Sequence, residues 1–210
     1  MASRDLSFVH RFEPAKEPAT PPLLMLHGTG GDETDLLPLG RMIAPRSALL
    51  SPRGKVLENG VPRFFRRFAE GVFDEDDVRR RADELADFVE EAGANYGIEA
   101  PIAVGYSNGA NIAAAVLLER PNVLTGAILL RAMDPFARPP KPDLAGKPVL
   151  LISGRRDRVI SANRAARLAM TLTEAGAAVI HETLQAGHEL SQTDADLARS
   201  WFDALTKRSL

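Results

Sequence analysis

Short apolar runs alternate with segments of helical periodicity along most of this chain, and that alternation restricts the architecture more than any other property of the sequence. Leu23-Leu24-Met25-Leu26, Ala48-Leu49-Leu50, Ile102-Ala103-Val104, Ala127-Ile128-Leu129-Leu130, Val149-Leu150-Leu151-Ile152 and Ala178-Val179-Ile180 are each bounded by Gly, Pro or charge. Runs this apolar read as strands buried on both faces. When helices separate such strands, the connections must cross over, which implies an α/β fold with a mainly parallel central sheet flanked by helices. Between the runs, Val78, Ala82, Leu85, Phe88, Val89 and Ala92 recur at three- and four-residue spacing behind Asp74, a capping residue followed by an acidic first turn. That pattern predicts an amphipathic helix. Further helices are expected from Asn108 to about Leu118, from Ala162 to about Ala175 and from Asp194 to about Thr206. Open sheets of this kind bind ligands beyond the carboxyl ends of their strands, so the residues that follow each apolar run are where chemistry is expected.

A chain of 210 residues is compatible with one α/β core, and residues 1–210 are read as one domain. The formal charge of -2 provides no large field of one sign, which argues against nucleic acid or an anionic membrane as partner. The absence of cysteine excludes a disulfide framework, a thiolate nucleophile and a cysteine-ligated metal. Arg4, Asp5, His10, Arg11 and Glu13 interrupt the segment Met1 to Pro14, which therefore reads neither as a signal peptide nor as a membrane span and suggests a cytoplasmic protein. The Pro-rich stretches Pro14 to Pro22 and Pro135 to Pro148 read as surface connections.

Directly after Ile102-Ala103-Val104 comes Gly105-Tyr106-Ser107-Asn108-Gly109-Ala110, then a helix rich in small residues. This fits the G-x-S-x-G turn, in which a serine sits on a strained strand-to-helix corner and flanking glycines permit close approach of the two elements. The bland reading is an ordinary β-to-α turn with a capping serine. An elbow serine requires an acid and then a histidine on later strand-end loops. Asp157 follows Val149 to Ile152, and His188 follows the strand near Ala178 to Leu184. Asp157 has its own bland reading, a surface acid paired with Arg155, Arg156 or Arg158. Of the four histidines, His10 precedes the sheet proper, His181 lies inside a strand and His27 comes before the serine, which leaves His188 as base. The expected catalytic set is Ser107, Asp157 and His188.

His27-Gly28-Thr29-Gly30-Gly31-Asp32 follows the first strong strand, where this arrangement places an oxyanion donor. The backbone N–H groups of Thr29 and Asn108 are expected to bind the oxyanion, with His27 shaping the loop by hydrogen bonding. No lysine follows as a phosphate-binding loop requires, and the spacing is not G-x-G-x-x-G. The stretch Lys55 to Phe73 lacks periodicity and reads as a long loop carrying Phe64, Phe65, Phe68 and Phe73. Two readings stand for it: Phe64, Phe65 and Phe68 line an apolar acyl or aryl pocket, or the rings pack the loop onto the core.

Taken together, Leu26 to Asp32, Gly105 to Gly109, Gly154 to Asp157 and Gly187-His188 resemble the carboxylesterase and phospholipase group of α/β hydrolases, which includes acyl-protein thioesterases and small bacterial carboxylesterases. The resemblance covers almost the whole chain. Within the group, Arg63-Phe64-Phe65 to Gly71-Val72-Phe73 is similar to the bacterial branch associated with hydroquinone and ring-cleavage metabolism. The resemblance implies a minimal sheet without a large cap domain, no metal or other cofactor, hydrolysis of short acyl esters, and a homodimer. Asn108 stands where acyl-protein thioesterases typically have glutamine, and Ala110 where they often have glycine. These departures point away from lipidated proteins and toward small-molecule esters. A thioesterase or lysophospholipase would use the same three residues, and a noncatalytic binding protein would be expected to have lost one of them.

Overall fold

The computed structural model describes residues 6–17 and 20–207. The first five residues of the segment Met1 to Pro14, and positions 18 and 19 of the stretch Pro14 to Pro22, lie outside the described residues. The elements run β1 (His10–Glu13), β2 (Leu23–Leu26), α1 (Leu37–Ile43), β3 (Leu49–Pro52), β4 (Val56–Glu58), β5 (Val61–Arg63), β6 (Arg67–Ala69), β7 (Val72–Phe73), α2 (Glu75–Tyr96), β8 (Ile102–Tyr106), α3 (Asn108–Glu119), β9 (Gly126–Leu130), β10 (Pro148–Gly154), α4 (Ala162–Glu174), β11 (Ala178–Leu184) and α5 (Gln192–Thr206).

Among the described residues, seven strands form one sheet in the order β1-β3-β2-β8-β9-β10-β11. Every pairing is parallel except β1 with β3 at one edge. Alternation along the strands divides the core in two. Leu24, Leu26, Ala103, Ala127, Leu129, Val149 and Leu151 face α2, α3 and α4. Leu23, Met25, Ile102, Val104, Ile128, Leu130, Leu150 and Ile152 face α1 and α5. Both sets are buried, which is why these strands read as continuous apolar runs instead of alternating ones. Fully burying each Leu or Ile contributes about 1.5–3 kcal/mol.

Helix α2 buries the face marked by Val78, Ala82, Leu85, Phe88, Val89 and Ala92, and the Asp74 side chain accepts from the Asp77 N–H as its cap. It ends at Gly97 in the left-handed conformation, φ 67°.

Four expectations are corrected by the structure. Ala178-Val179-Ile180 is not buried on both faces, because β11 is the far edge strand and Ala178 and Ile180 are exposed. His10 does not precede the sheet; it opens edge strand β1, a half-covered strand in which Phe12 is the one apolar residue among four, too few to mark it in the sequence. Lys55 to Phe73 is not an irregular loop but holds two antiparallel hairpins, β4–β5 and β6–β7. The first turns at Asn59-Gly60, both at positive φ (54° and 81°), as a tight hairpin turn requires. The stretch from Pro135 to Pro148 is not wholly a surface connection, because Phe136 and Leu144 are inserted into the core.

Candidate active site

Gly105 and Gly109 set the corner between β8 and α3. A Cβ on Gly109 would lie 2.0 Å from the Leu26 carbonyl oxygen, and one on Gly105 would lie 2.5 Å from the Gly109 carbonyl oxygen. Helix α3 therefore begins hard against the end of β2, and no side chain fits between them. Ser107 sits at the apex with φ 51° and ψ -113°, a strained conformation for a residue with a Cβ. Its own N–H donates to the Leu130 carbonyl at 2.9 Å, tying the corner to the end of β9. Asn111, one turn along α3, accepts the Met133 N–H at 2.9 Å and anchors the next strand-end loop.

The structure brings Ser107, His188 and Asp157 together from the ends of three different strands. The Ser107 hydroxyl lies 3.0 Å from His188 Nε2, and Asp157 Oδ2 lies 2.8 Å from His188 Nδ1. Asp157 Oδ1 accepts the backbone N–H groups of Val159 and Ile160 at 2.8 and 2.9 Å. The Asp157 side chain is 1% exposed, while that of His188 is 22% exposed. Asp157 makes no ion pair with Arg155, Arg156 or Arg158, so the surface-acid reading does not hold. With both oxygens engaged, the carboxylate favours the imidazole tautomer that carries its proton on Nδ1, which leaves the Nε2 lone pair facing the serine hydroxyl. Glu189, adjacent in sequence to His188, is exposed.

The loop after β2, where an oxyanion donor is expected, is held by hydrogen bonds from several elements. His27 is buried; its Nδ1 donates to the Gly28 carbonyl at 2.6 Å and its Nε2 accepts the Gly54 N–H at 3.0 Å. Burial pushes the His27 imidazole below its ordinary pKa, and the Gly28 carbonyl only partly offsets this. A neutral ring with both nitrogens engaged is a loop support and not a proton carrier. One short segment of the first hairpin clamps both residues expected to provide the donors. The Gly30 N–H donates to the Pro62 carbonyl at 2.9 Å, the buried Arg63 guanidinium donates to Thr29 Oγ1 at 2.9 Å, and the Phe64 N–H donates to Asn108 Oδ1 at 2.7 Å. The N–H groups of Thr29 and Asn108 make no hydrogen bond to any of the described residues. Asn108 is the first residue of α3, where backbone N–H groups point outward and the helix dipole favours negative charge.

The three phenylalanines expected to line a pocket do not form one wall. Phe64 and Phe65 are 3% and 0% exposed and belong to the core cluster under α2. The Phe64 ring lies 4.7 Å from His27, and the Phe65 ring packs edge-on against Phe73 at 4.9 Å. Phe68 is 76% exposed on the second hairpin, so it lines no enclosed pocket. A cavity of about 530 Å³ lies at the opposite end of the sheet, at the strand starts marked by Pro22, Ile102, Thr125 and Pro148, and includes none of the triad residues. Among the described residues, no cluster of His, Asp and Glu is arranged to hold a metal, and no helix is long and apolar enough to cross a membrane.

Two contributors to the site went unread in the sequence. Arg131, immediately after β9, is fully buried at φ 55°. The Tyr106 hydroxyl donates to the His188 backbone carbonyl at 3.2 Å. Each is the residue next to a strand end or a serine already marked as important, which is the one signal that could have singled them out.

No family model matches the chain. MhqD of Bacillus subtilis (strain 168), named as a hydrolase, is 48% identical over 182 residues, which cover 86% of this chain and 91% of MhqD. The crystal structure of the Bacillus cereus carboxylesterase is 42% identical, covers 95% of each chain and superposes with a TM-score of 0.93. That of a carboxylesterase from Mesorhizobium loti is 33% identical, with 95% of this chain and 96% of the other covered and a TM-score of 0.90. The minimal sheet, the serine at its strained corner and these relatives together show that the chain is a hydrolase and belongs to the carboxylesterase and phospholipase family of α/β hydrolases.

Proposed function

We propose that this hydrolase is a serine carboxylesterase that cleaves short-chain or aryl carboxylic esters of small molecules through an acyl-enzyme. The observation that carries the reading is the unbroken chain of contacts from Asp157 through His188 to Ser107, at 2.8 and 3.0 Å. As Ser107 Oγ attacks the ester carbonyl carbon, its proton passes to His188 Nε2, and Asp157 stabilises the imidazolium that forms. The N–H groups of Thr29 and Asn108 receive the oxyanion of the tetrahedral intermediate. Collapse breaks the bond to the leaving oxygen, which takes the proton from His188. Water then adds to the acyl-serine, giving its proton to His188, and a second collapse releases the carboxylic acid and returns the proton to Ser107. Small substrates fit a chain in which, among the described residues, the strand-to-helix connections carry only two short hairpins as added elements.

Ser107→Ala tests this reading. Hydrolysis of p-nitrophenyl butyrate and labelling by a fluorophosphonate probe should both disappear while the circular dichroism spectrum is unchanged. Labelling of the variant at the wild-type rate would remove Ser107 as nucleophile.

A further inference from the structure

Arg131 is an unusual residue in an unusual conformation. At φ 55° it occupies the left-handed region that favours glycine, and its side chain is fully buried. An arginine belongs at such a position only for what its side chain does. All five of its N–H groups are engaged. Two bind Asp194 as a fork, Nη1 to Oδ1 at 2.7 Å and Nη2 to Oδ2 at 3.0 Å. The remaining three reach backbone carbonyls: Nε to Gly187 at 2.8 Å, Nη2 to Glu189 at 3.2 Å and Nη1 to Ile152 at 3.4 Å.

The targets explain the arrangement. Gly187 and Glu189 flank His188, and the carbonyl between them, that of His188 itself, accepts the Tyr106 hydroxyl. Three consecutive carbonyls of the histidine loop are thus each held by a side-chain donor from the end of β8 or β9. Asp194 is fixed in turn on α5, where its Oδ2 accepts both the N–H and the hydroxyl of Ser191 at 2.8 Å. On the other side the loop is pressed against Gly154, where a Cβ would lie 2.4 Å from the Gly187 carbonyl oxygen. Burial raises the Tyr106 phenol above its ordinary pKa, which keeps the hydroxyl protonated as a donor.

We propose that the Arg131–Asp194 pair, with Tyr106, is a positioning device for the reaction, holding the backbone of the histidine loop so that the His188 ring spans Ser107 and Asp157. A desolvated ion pair is a weak source of stability compared with apolar packing, whereas a planar fork that binds a carboxylate on one side and two carbonyls on the other fixes a loop in one place. Displacement of a reacting group by about 1 Å is enough to cost roughly a hundredfold in rate. Arg131, Asp194 and Tyr106 act through His188 and touch no reacting atom. The proposal rests on the assignment of His188 as general base.

The test compares wild type, Arg131→Lys and Tyr106→Phe for kcat and KM on p-nitrophenyl butyrate, rate of fluorophosphonate labelling and Tm, with activity measured well below each Tm. Lysine keeps the charge opposite Asp194 but lacks the second arm that reaches the carbonyls. Expected for Arg131→Lys is a fall in kcat of roughly ten- to a hundredfold with KM within about twofold, and for Tyr106→Phe a fall of roughly three- to tenfold, with labelling slowed in parallel. Wild-type kcat in both variants, with only Tm lowered, would assign the network to stability alone and overturn the proposal. If Arg131→Lys does not fold, Tyr106→Phe decides, because it deletes one hydroxyl and leaves the ion pair intact; wild-type kcat there overturns the proposal equally. His188→Ala separates the underlying assignment: if that variant hydrolyses ester at the wild-type rate, the reading of the triad fails whatever the Arg131 and Tyr106 variants do.

Discussion

Asn at position 157 keeps the size of the side chain and removes its charge, and the surroundings determine how it must sit. The backbone N–H groups of Val159 and Ile160, at 2.8 and 2.9 Å from one carboxylate oxygen, demand an acceptor, so the amide oxygen of Asn is drawn to them. Its NH2 group then takes the place of the oxygen that lies 2.8 Å from His188 Nδ1. A donor there requires Nδ1 to accept, which moves the imidazole proton to Nε2 and points it at Ser107. The ring is left as a donor where a base is needed. Returning to the reactive tautomer loses that hydrogen bond and sets two N–H groups against each other. The imidazolium formed during attack also loses a charged hydrogen bond worth about 1.5–3 kcal/mol. Together these amount to about 3–5 kcal/mol, or roughly two to four orders of magnitude in kcat. The equivalent change in the serine protease triad costs about four orders. The assay is kcat for p-nitrophenyl butyrate with Asp157→Asn beside Glu189→Gln, which should stay within about threefold of wild type because surface charges couple weakly to buried groups. Wild-type kcat in Asp157→Asn, or its collapse in Glu189→Gln, would show that the tautomer argument is wrong.

Two further outcomes are expected. Among p-nitrophenyl esters, kcat/KM should be larger for acetate or butyrate than for palmitate, since two short hairpins are the only elements added among the described residues to the strand-to-helix connections; a steady rise through the long chains would contradict this. His27, held neutral by burial with a lowered pKa, binds a proton less readily folded than unfolded, so its contribution to stability is present above the unfolded value near about 6.5 and is lost as pH falls from there toward the folded pKa. Urea unfolding between about pH 5 and pH 7 should therefore show a shallower pH dependence in His27→Gln than in wild type; equal slopes would mean that this ring does not titrate as argued.

Most parts of the fold that the sequence revealed share one physical property, burial on both faces or along one full stripe; β11 is the exception, legible as an apolar run although it lies at the sheet edge with Ala178 and Ile180 exposed. Leu23 to Leu26 and Val149 to Ile152 are apolar without interruption because helices cover both sides, and the α2 stripe repeats over 22 residues. Strand β1 has no such signature, since His10, Arg11 and Glu13 are at least partly solvated at a sheet edge. Helix α1, only seven residues long and containing Pro38 and Gly40, falls below what periodicity can resolve. The first hairpin carries a strong two-residue turn signal in Asn59-Gly60, but its strands are only three residues each, and the phenylalanines that follow mask the turn. In the candidate site, Ser107, Asp157 and His188 were legible because strand-end position and chain order restrict the candidates. Arg131 was not, because its partners are backbone carbonyls and an acid on elements distant in sequence, and no spacing rule encodes such contacts.

The order of strands across the sheet also has a consequence for how the protein is made. Strand β2 cannot pair with β8 until the intervening hairpins and α2 have been synthesised, and β9, β10 and β11 then add one after another toward the far edge. Pairings so distant in sequence form late compared with local structure. In the proposed triad, Ser107 emerges after β8, Asp157 after β10 and His188 only after β11. A growing chain that has already formed its serine corner therefore lacks both the proposed acid and the proposed base that activate the hydroxyl until β10 and β11 have been made, and α5, which carries Asp194, has still to follow.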